Sequence, residues 1–408
     1  MALTFAQGQA GLKEYYQGVS MVDVCYKDRP FLALVPKNTD FSGELIKQPI
    51  LFARTNKAAS SFARANTLSA PNSYVAFECP PTQYYAIAEI SGLAMAASRN
   101  NIGGFLDLAK AEGDGAMNKL ADRLATYCYR SGGVVGQIAS TSGLGGSITL
   151  SVAEDSWNFD VNDSVVAALT VTGTGDTAVR NTGGTVDAIL VTGNQRNGVL
   201  DMASAVAASN WAAGDFLYFN NDKNATIAGL DAWIRTGTVA AGTTMFGVDV
   251  SVDQRLTGVR TDGTSFGTIH EALLQAGANI MGQGGKPSHV FLNPIDYINM
   301  VRQLGSDVIR DSQKVDTNVG FETIKIILPT GPAQVVADKF CPRGRGYLLQ
   351  LDTWKLHSMG KEVQLDDRDD SGIIRLEAQD VFQQRFYSYS QLVCSAPGYN
   401  GTVTLTTS

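Results

Sequence analysis

Histidine is the side chain that most often holds a metal or moves a proton near neutral pH, and this 408-residue chain has three, His270, His289 and His357. They stand in distant stretches, and none has a second ligand at i+3 or i+4, so an HExxH-type metal site is absent. Each reads as structural. The five cysteines, Cys25, Cys79, Cys128, Cys341 and Cys394, are odd in number, scattered and without a CxxC pair. That pattern fits reduced, buried thiols and argues against a disulfide framework or a zinc site. Residues 282–288, GQGGKPS, have the glycines of a phosphate loop, but Pro287 stands where Ser or Thr is needed and removes a backbone donor. Asp366, Asp367, Asp369 and Asp370 match a calcium loop only in charge, lacking its glycine and terminal Glu, so a solvated turn is expected. No nucleophile elbow is expected either. With no catalytic, cofactor or metal set in view, the chain reads as one that binds and does not catalyse.

Two sets of residues suit binding. Arg343 and Arg345, in the loop PRGRG, offer forked donors to phosphate or to a neighbour's carboxylates, and the net charge of −7 favours carboxylates. Arg54, Lys57 and Arg64 flank Phe62 in RTNKAASSFARANTLSAPNS, roughly twenty residues, too long for an ordinary loop and too polar for its own core. Such a segment must lie on another surface, and its cations suit an acidic one.

The rest of the chain has to position these. Charged residues are 17% and glycines number 42, which favours short strands and turns, and 408 residues allow two or three domains. The negative balance argues against wrapping duplex DNA. The N-terminus lacks a signal-peptide pattern, and no apolar run approaches membrane-spanning length. Residues 10–27 carry Leu12, Tyr15, Val19, Val22 and Tyr26 at helical spacing. Strands are expected at 45–52, 74–77 and 84–90, going out to the polar stretch and back. Residues 103–131 hold the best amphipathic helix, weakened by Gly113 and Gly115, where a bend or break is expected. From 138 to 236 Gly, Ser, Thr, Ala and Val dominate, and four cations face ten acids, which puts six of the seven net negative charges there. Strands at 147–153, 165–171, 186–192 and 215–220 predict a small β barrel or sandwich with Trp211 and GDFLYF in its core. Its acidity would keep particles soluble and apart. Thr268 to Glu271 has capping-box spacing ahead of a helix with Ile269, Leu273, Ala276 and Ile280 on one stripe. Asn293-Pro294 opens another helix directly after a short strand at 289–292.

Residues 320–357, GFETIKIILPTGPAQVVADKFCPRGRGYLLQLDTWKLH, contain three β-rich runs, 324–328, 333–337 and 347–351, bounded by Gly-Pro punctuation. They predict a small antiparallel unit, continued by 353–357. The order and wording of this stretch closely resemble the closing sheet of tailed-bacteriophage major capsid proteins, a fold shared with encapsulins and herpesvirus capsid floors. RPFLALVPKNTDFSGELIKQPI is similar to the N-terminal arm of that family. GLDAWIRTGTVAAGTTMFGVDVSVDQRLTGVR and HVFLNP between two helices are similar to its axial domain.

The resemblance implies an α+β capsid fold in six parts: an N-terminal arm (1–42), an extended β loop (43–96), a spine helix (97–137), an inserted all-β domain (138–236), an axial domain (237–352) and peripheral strands (353–408). It implies self-association into pentamers and hexamers of an icosahedral virion shell, assembled in the host cytoplasm and then filled with double-stranded DNA by a separate motor, without sequence-specific contacts or a membrane. Arg54, Lys57, Phe62, Arg64, Arg343 and Arg345 are then the candidate intersubunit contacts, with no catalytic, cofactor or metal residues. A portal and a decoration protein are possible partners in such a shell. With about 100 residues ahead of the helix, a separate scaffolding protein and an uncleaved N-terminus are expected. Some family members cross-link a Lys to an Asn between subunits; Lys57 and Asn400 have suitable positions, but no activating Glu aligns, and no cross-link is expected. The alternatives are an encapsulin-type compartment and a surface or tail β protein.

Overall fold

In a computed structural model, residues 28–55, 58–67, 71–92, 108–141, 146–169, 184–192, 195–203, 211–234, 239–304, 324–366, 374–376 and 380–406 are described here. The helix expected at 10–27 lies outside them. The chain starts with α1 (Pro30–Leu34) and β1 (Lys37–Asn38), then makes a two-stranded ribbon from β2 (Ile46–Ala53) and β3 (Ser73–Cys79), with α2 (Phe62–Thr67) between them. Next come β4 (Thr82–Ser91) and α3 (Leu108–Tyr129), a helix of 22 residues and about 33 Å. It runs unbroken through Gly113 and Gly115, against expectation. The helix crosses the sheet below at Gly113, where an ideal Cβ would lie 2.5 Å from the movable end of Gln384 and 3.5 Å from the Phe386 ring.

Six strands then close a barrel in the order β10-β5-β6-β9-β8-β7. They are β5 (Val134–Thr141), β6 (Ser147–Leu150), β7 (Ser164–Ala168), β8 (Gly184–Thr192), β9 (Gln195–Met202) and β10 (Phe216–Phe219). Leu217, Phe219, Trp211, Phe159, Val165 and Leu200 are buried inside it. The barrel begins earlier than predicted, because β5 follows directly on Gly132 and Gly133. The stretch expected as strand at 151–153 turns into a 3-10 helix, Ala153–Asn158.

After α4 (Leu230–Trp233) and the hairpin β11 (Thr244–Met245) and β12 (Val248–Asp249), the chain builds a mixed sheet in the order β13-β22-β17-β14-β16-β15. Its members are β13 (Val259–Asp262), β14 (His289–Leu292), β15 (Ile324–Leu328), β16 (Gly331–Ala337), β17 (Arg345–Leu349) and β22 (Gly401–Thr404), with α5 (Ile269–Gly282) and α6 (Pro294–Leu304) beside it. Both predicted caps form: Thr268 Oγ1 accepts from Glu271 N at 3.2 Å and Asn293 Oδ1 from Ile295 N at 3.1 Å. Ile269, Leu273, Ala276 and Ile280 face Val290, Leu348 and Val403 in a core of their own. The predicted antiparallel unit is corrected here: β14 lies between β16 and β17, parallel to the first and antiparallel to the second. Short runs separated by tight turns look sequential, and the one buried strand that intervenes comes from fifty residues earlier.

The last sheet is organised on β21 (Val381–Cys394), which pairs with β18 (Trp354–Ser358), β19 (Gln364–Leu365), β20 (Ile374–Arg375) and β4, and β1 joins through β18. Two expectations change with it. Thr82–Ser91, read as the returning strand of the extended loop, pairs along its whole length with β21 and belongs to the body. Gly401–Thr404, placed by the resemblance with the peripheral strands, instead pairs with β13 and β17.

A main core spans these sheets, with Trp233 at its centre. Its indole donates to Leu392 O at 3.1 Å and stacks on Phe246 at 4.4 Å, with Phe77 at 5.3 Å. Gly229, just ahead of α4, is required by close approach: a Cβ there would lie 2.1 Å from Tyr127 O, at the carbonyl end of α3. Among the described residues no helix is long and apolar enough to cross a membrane.

Candidate functional site

The ribbon presents several large apolar side chains to solvent. Along β2 and β3 the pleat sends alternate residues to opposite faces. Ile46, Phe77 and Cys79, near the base, are buried against the main core. On the other face Leu51 is 47% and Tyr74 66% exposed. Beyond the strands, Phe62 opens α2 at 87% exposure, the most exposed of the large apolar side chains described. Local bonds tie the tip to itself: Thr55 N donates to Asn72 Oδ1 at 2.7 Å, and Thr67 Oγ1 to Arg64 O at 2.8 Å.

Electrostatically the ribbon is mainly cationic, with Glu78 its one acid. From Leu45 to Phe77 the sequence has Lys47, Arg54, Lys57 and Arg64 and no acid. Lys47 meets Glu78 across the strands at 2.8 Å, an exposed pair that solvent screens. Arg54 and Arg64 are exposed and have no ion-pair partner among the described residues; Lys57 lies outside them.

Arg343 and Arg345 are placed differently from expectation. Their carboxylates come from their own chain: Arg343 Nη1 donates to Glu154 Oε1 at 2.6 Å and Arg345 Nη1 to Asp231 Oδ2 at 2.6 Å. Asp231 Oδ1 also accepts from Tyr347 OH at 2.8 Å. Burial pushes the Asp231 carboxyl up, and the Asp231 charge in turn holds the Arg345 guanidinium firmly protonated. Arg343, Arg345 and Asp231 line a cleft of about 270 Å³, with Arg130 and Asp155 completing its charged lining. Three cations face two acids there.

Asp338, the acid of VVAD, is the residue that sequence reasoning quoted without giving it work. It is 1% exposed and joins three elements. Its Oδ2 accepts from Phe31 N at 3.2 Å and Tyr129 OH at 2.8 Å, and its Oδ1 from Phe340 N at 2.9 Å. The arm segment α1, the end of α3 and the mixed sheet meet on this carboxylate, with Phe31 and Tyr129 rings 5.1 Å apart beside it. A short polar residue after a hydrophobic strand was the signal that could have found it.

The other candidate chemistry stays dispersed. His270, His289 and His357 lie on α5, β14 and β18, and no cluster of metal-binding side chains occurs among the described residues. Gly263-Thr-Ser265-Phe-Gly267 does have GxSxG spacing between β13 and α5, a match overlooked in the sequence, but Ser265 lacks the positive φ of an elbow. Cys79, Cys128, Cys341 and Cys394 are free and buried, and burial pushes the Cys79 and Cys394 thiols up to about 12. Asn400 is fully buried: its amide donates to Thr353 Oγ1 and Ala396 O, and its oxygen accepts from Gln350 N and Trp354 Nε1. Asp366 is described, and Asp367, Asp369 and Asp370 are not.

The histidines give a pH expectation. Burial holds the imidazoles of His289 and His357 below their ordinary value of 6.5. The unfolded chain therefore binds the proton more readily, so their contribution is intact above pH 6.5 and is lost as the pH falls below it. The melting temperature should drop between about pH 7 and 5. His289→Gln should make that slope shallower; an unchanged slope would show that His289 does not titrate in this way.

No family model matches the chain, and no curated protein does. Among solved structures, the capsid asymmetric unit of cyanophage A-1(L) is 14% identical and aligns over 96% of this chain and 97% of that one, with a TM-score of 0.53. The capsid of a native GTA particle (9% identical, 98% and 99% covered, TM-score 0.47) and the SrpI encapsulin of Synechococcus elongatus (7%, 99% and 96%, 0.45) also align end to end. The cyanophage match spans nearly all of both chains, sheets and barrel region included, and on it the chain has the fold of tailed-phage major capsid proteins.

Proposed function

We propose that this chain is the major capsid protein of a tailed bacteriophage. It self-assembles into pentamers and hexamers of an icosahedral shell, and packaged double-stranded DNA fills the shell without sequence-specific contacts. One observation carries the reading: a cationic ribbon presents Phe62, Leu51 and Tyr74 to solvent on a chain of net charge −7. Exposed apolar surface set among cations is what a docking element offers, and another copy of the same negatively charged chain complements it. Many such contacts, each weak, close a shell together.

On this reading α3 is the spine helix, the mixed sheet with α5 and α6 is the axial domain, the β21 sheet is the peripheral domain and the barrel is an insertion. Arg54, Lys57, Phe62 and Arg64 are the intersubunit contacts. Arg343 and Arg345 serve within the subunit, fixing the loop after Asp338. A scaffolding protein, a portal and a decoration protein are the further partners, and the virion is the destination.

Expression with the companion scaffolding protein, followed by sedimentation and electron microscopy, tests the reading. Closed icosahedral particles are expected. A chain that stays a monodisperse monomer under all assembly conditions would overturn it. Particles filled with cargo protein in place of DNA, when isolated from their native source, would point to a nanocompartment instead.

A further inference from the structure

The barrel closes on itself in strand order, its buried side chains run on into the main core, and the chain enters and leaves it at one place, where Asn224 N donates to Gly132 O at 3.0 Å. Four barrel acids on one short stretch, Glu154, Asp155, Asp160 and Asp163, reach across to the body. Lys119 Nζ lies 2.6 Å from Asp160 Oδ2 and 2.8 Å from Asp163 Oδ2. Arg123 Nη2 is 3.5 Å from Asp163, Arg130 Nη2 2.5 Å from Asp155 and Arg343 Nη1 2.6 Å from Glu154. Every anion in these pairs is on the barrel and every cation on the body. Arg123 also lies 4.2 Å over the Phe219 ring of β10. The barrel acids Asp201 and Asp215 also accept within the barrel, from Ser147 Oγ and Ala212 N.

Segregation by sign has a physical consequence. Once apart, each half carries a cluster of like charge that mobile ions neutralise, and once together each half neutralises the other. Salt therefore competes with docking. It acts first on the outer end of the seam, where Asp160 is 63% exposed, and least on Arg130 and Asp155 at 10% and 11%.

We infer that residues 153–163 are a docking strip that fastens this face of the barrel to the body by charge, and that ionic strength sets how firmly the strip is docked. The acidity of this module thus serves attachment to its own body more than repulsion between particles.

Hydrogen exchange on the full-length soluble subunit tests this without requiring assembly, so its failure is separate from failure of the shell reading. Peptides covering 153–163 should exchange about tenfold faster in about 1 M NaCl, where the Debye length is about 3 Å, than in low salt, while β5, β7 and β10 keep their protection. Lys119→Glu should expose the strip even in low salt, and adding Asp160→Lys should restore it. Arg343→Glu with Glu154→Arg is a second exchange of signs with the same expectation. Three outcomes would overturn the proposal: exchange indifferent to salt, swapped pairs no better protected than the single reversals, or barrel strands losing protection together with the strip.

Discussion

Asp338→Ala should cost the subunit on the order of 4 kcal/mol, since it leaves three buried donors, Phe31 N, Tyr129 OH and Phe340 N, without an acceptor, each worth about 1–3 kcal/mol. That is a large fraction of the stability of a typical domain, so soluble yield should collapse and any folded material should melt far below wild type. Asp338→Asn discriminates between this cause and simple loss of a side chain. An amide placed with its oxygen at Oδ2 still serves Phe31 N and Tyr129 OH and fails only Phe340 N, so about half the loss is expected. Thermal melts of the two variants decide it: equal damage from Ala and Asn would mean that the negative charge, and not the hydrogen bonds, is what the site needs. Burial pushes the Asp338 carboxyl above its ordinary value of 3.8. The folded state thus binds that proton more tightly than the unfolded one, and this group's contribution improves as the pH falls into the window just above 3.8.

Phe62→Asp should leave the subunit's melting temperature unchanged and abolish shell formation. The side chain is 87% exposed and supports nothing in its own chain, so the folded state should change by no more than about 0.5 kcal/mol. Burying a phenylalanine at a contact is worth about 1.5–3 kcal/mol, so each contact should weaken by at least about tenfold. Because the same contact recurs between all neighbouring subunits, the yield of closed particles should fall much further than that. Arg54→Glu and Arg64→Glu should act in the same direction, less strongly and most visibly at low salt. Light scattering and electron microscopy of assembly reactions read the result. Normal particles from Phe62→Asp would remove the ribbon tip from the intersubunit contacts.

Much of the fold was legible because the signals were local. The caps at Thr268 and Asn293, the stripe of α5, the strand at 289–292 and the long amphipathic helix all follow from spacing within a few residues. What was hidden is pairing at a distance. Nothing near residues 82–91 says that their partner lies three hundred positions later in β21, and GTVT at 401–404 has strand propensity without an address. The strand QRNGVLDM at 195–202 was missed because its polar residues and Gly198 mask the alternation. The candidate site divides in the same way. Arg54, Phe62 and Arg64 stand out by composition and remain exposed, whereas Arg343 and Arg345 find Glu154 and Asp231 within the fold, which no reading of charge alone could anticipate. Asp338 was invisible as a junction because two of its three partners lie two hundred and three hundred residues away.

A photo-activatable phenylalanine analogue at position 62 tests shell building most directly, because it reports which surface the ribbon tip touches. In assembled particles, mass spectrometry should find it joined to a second copy of the chain, and the same subunit kept dissociated should give no such adduct. Adducts only to the chain that carries it, in particles and free subunits alike, would show a ribbon folded on its own body and would contradict self-association through this element.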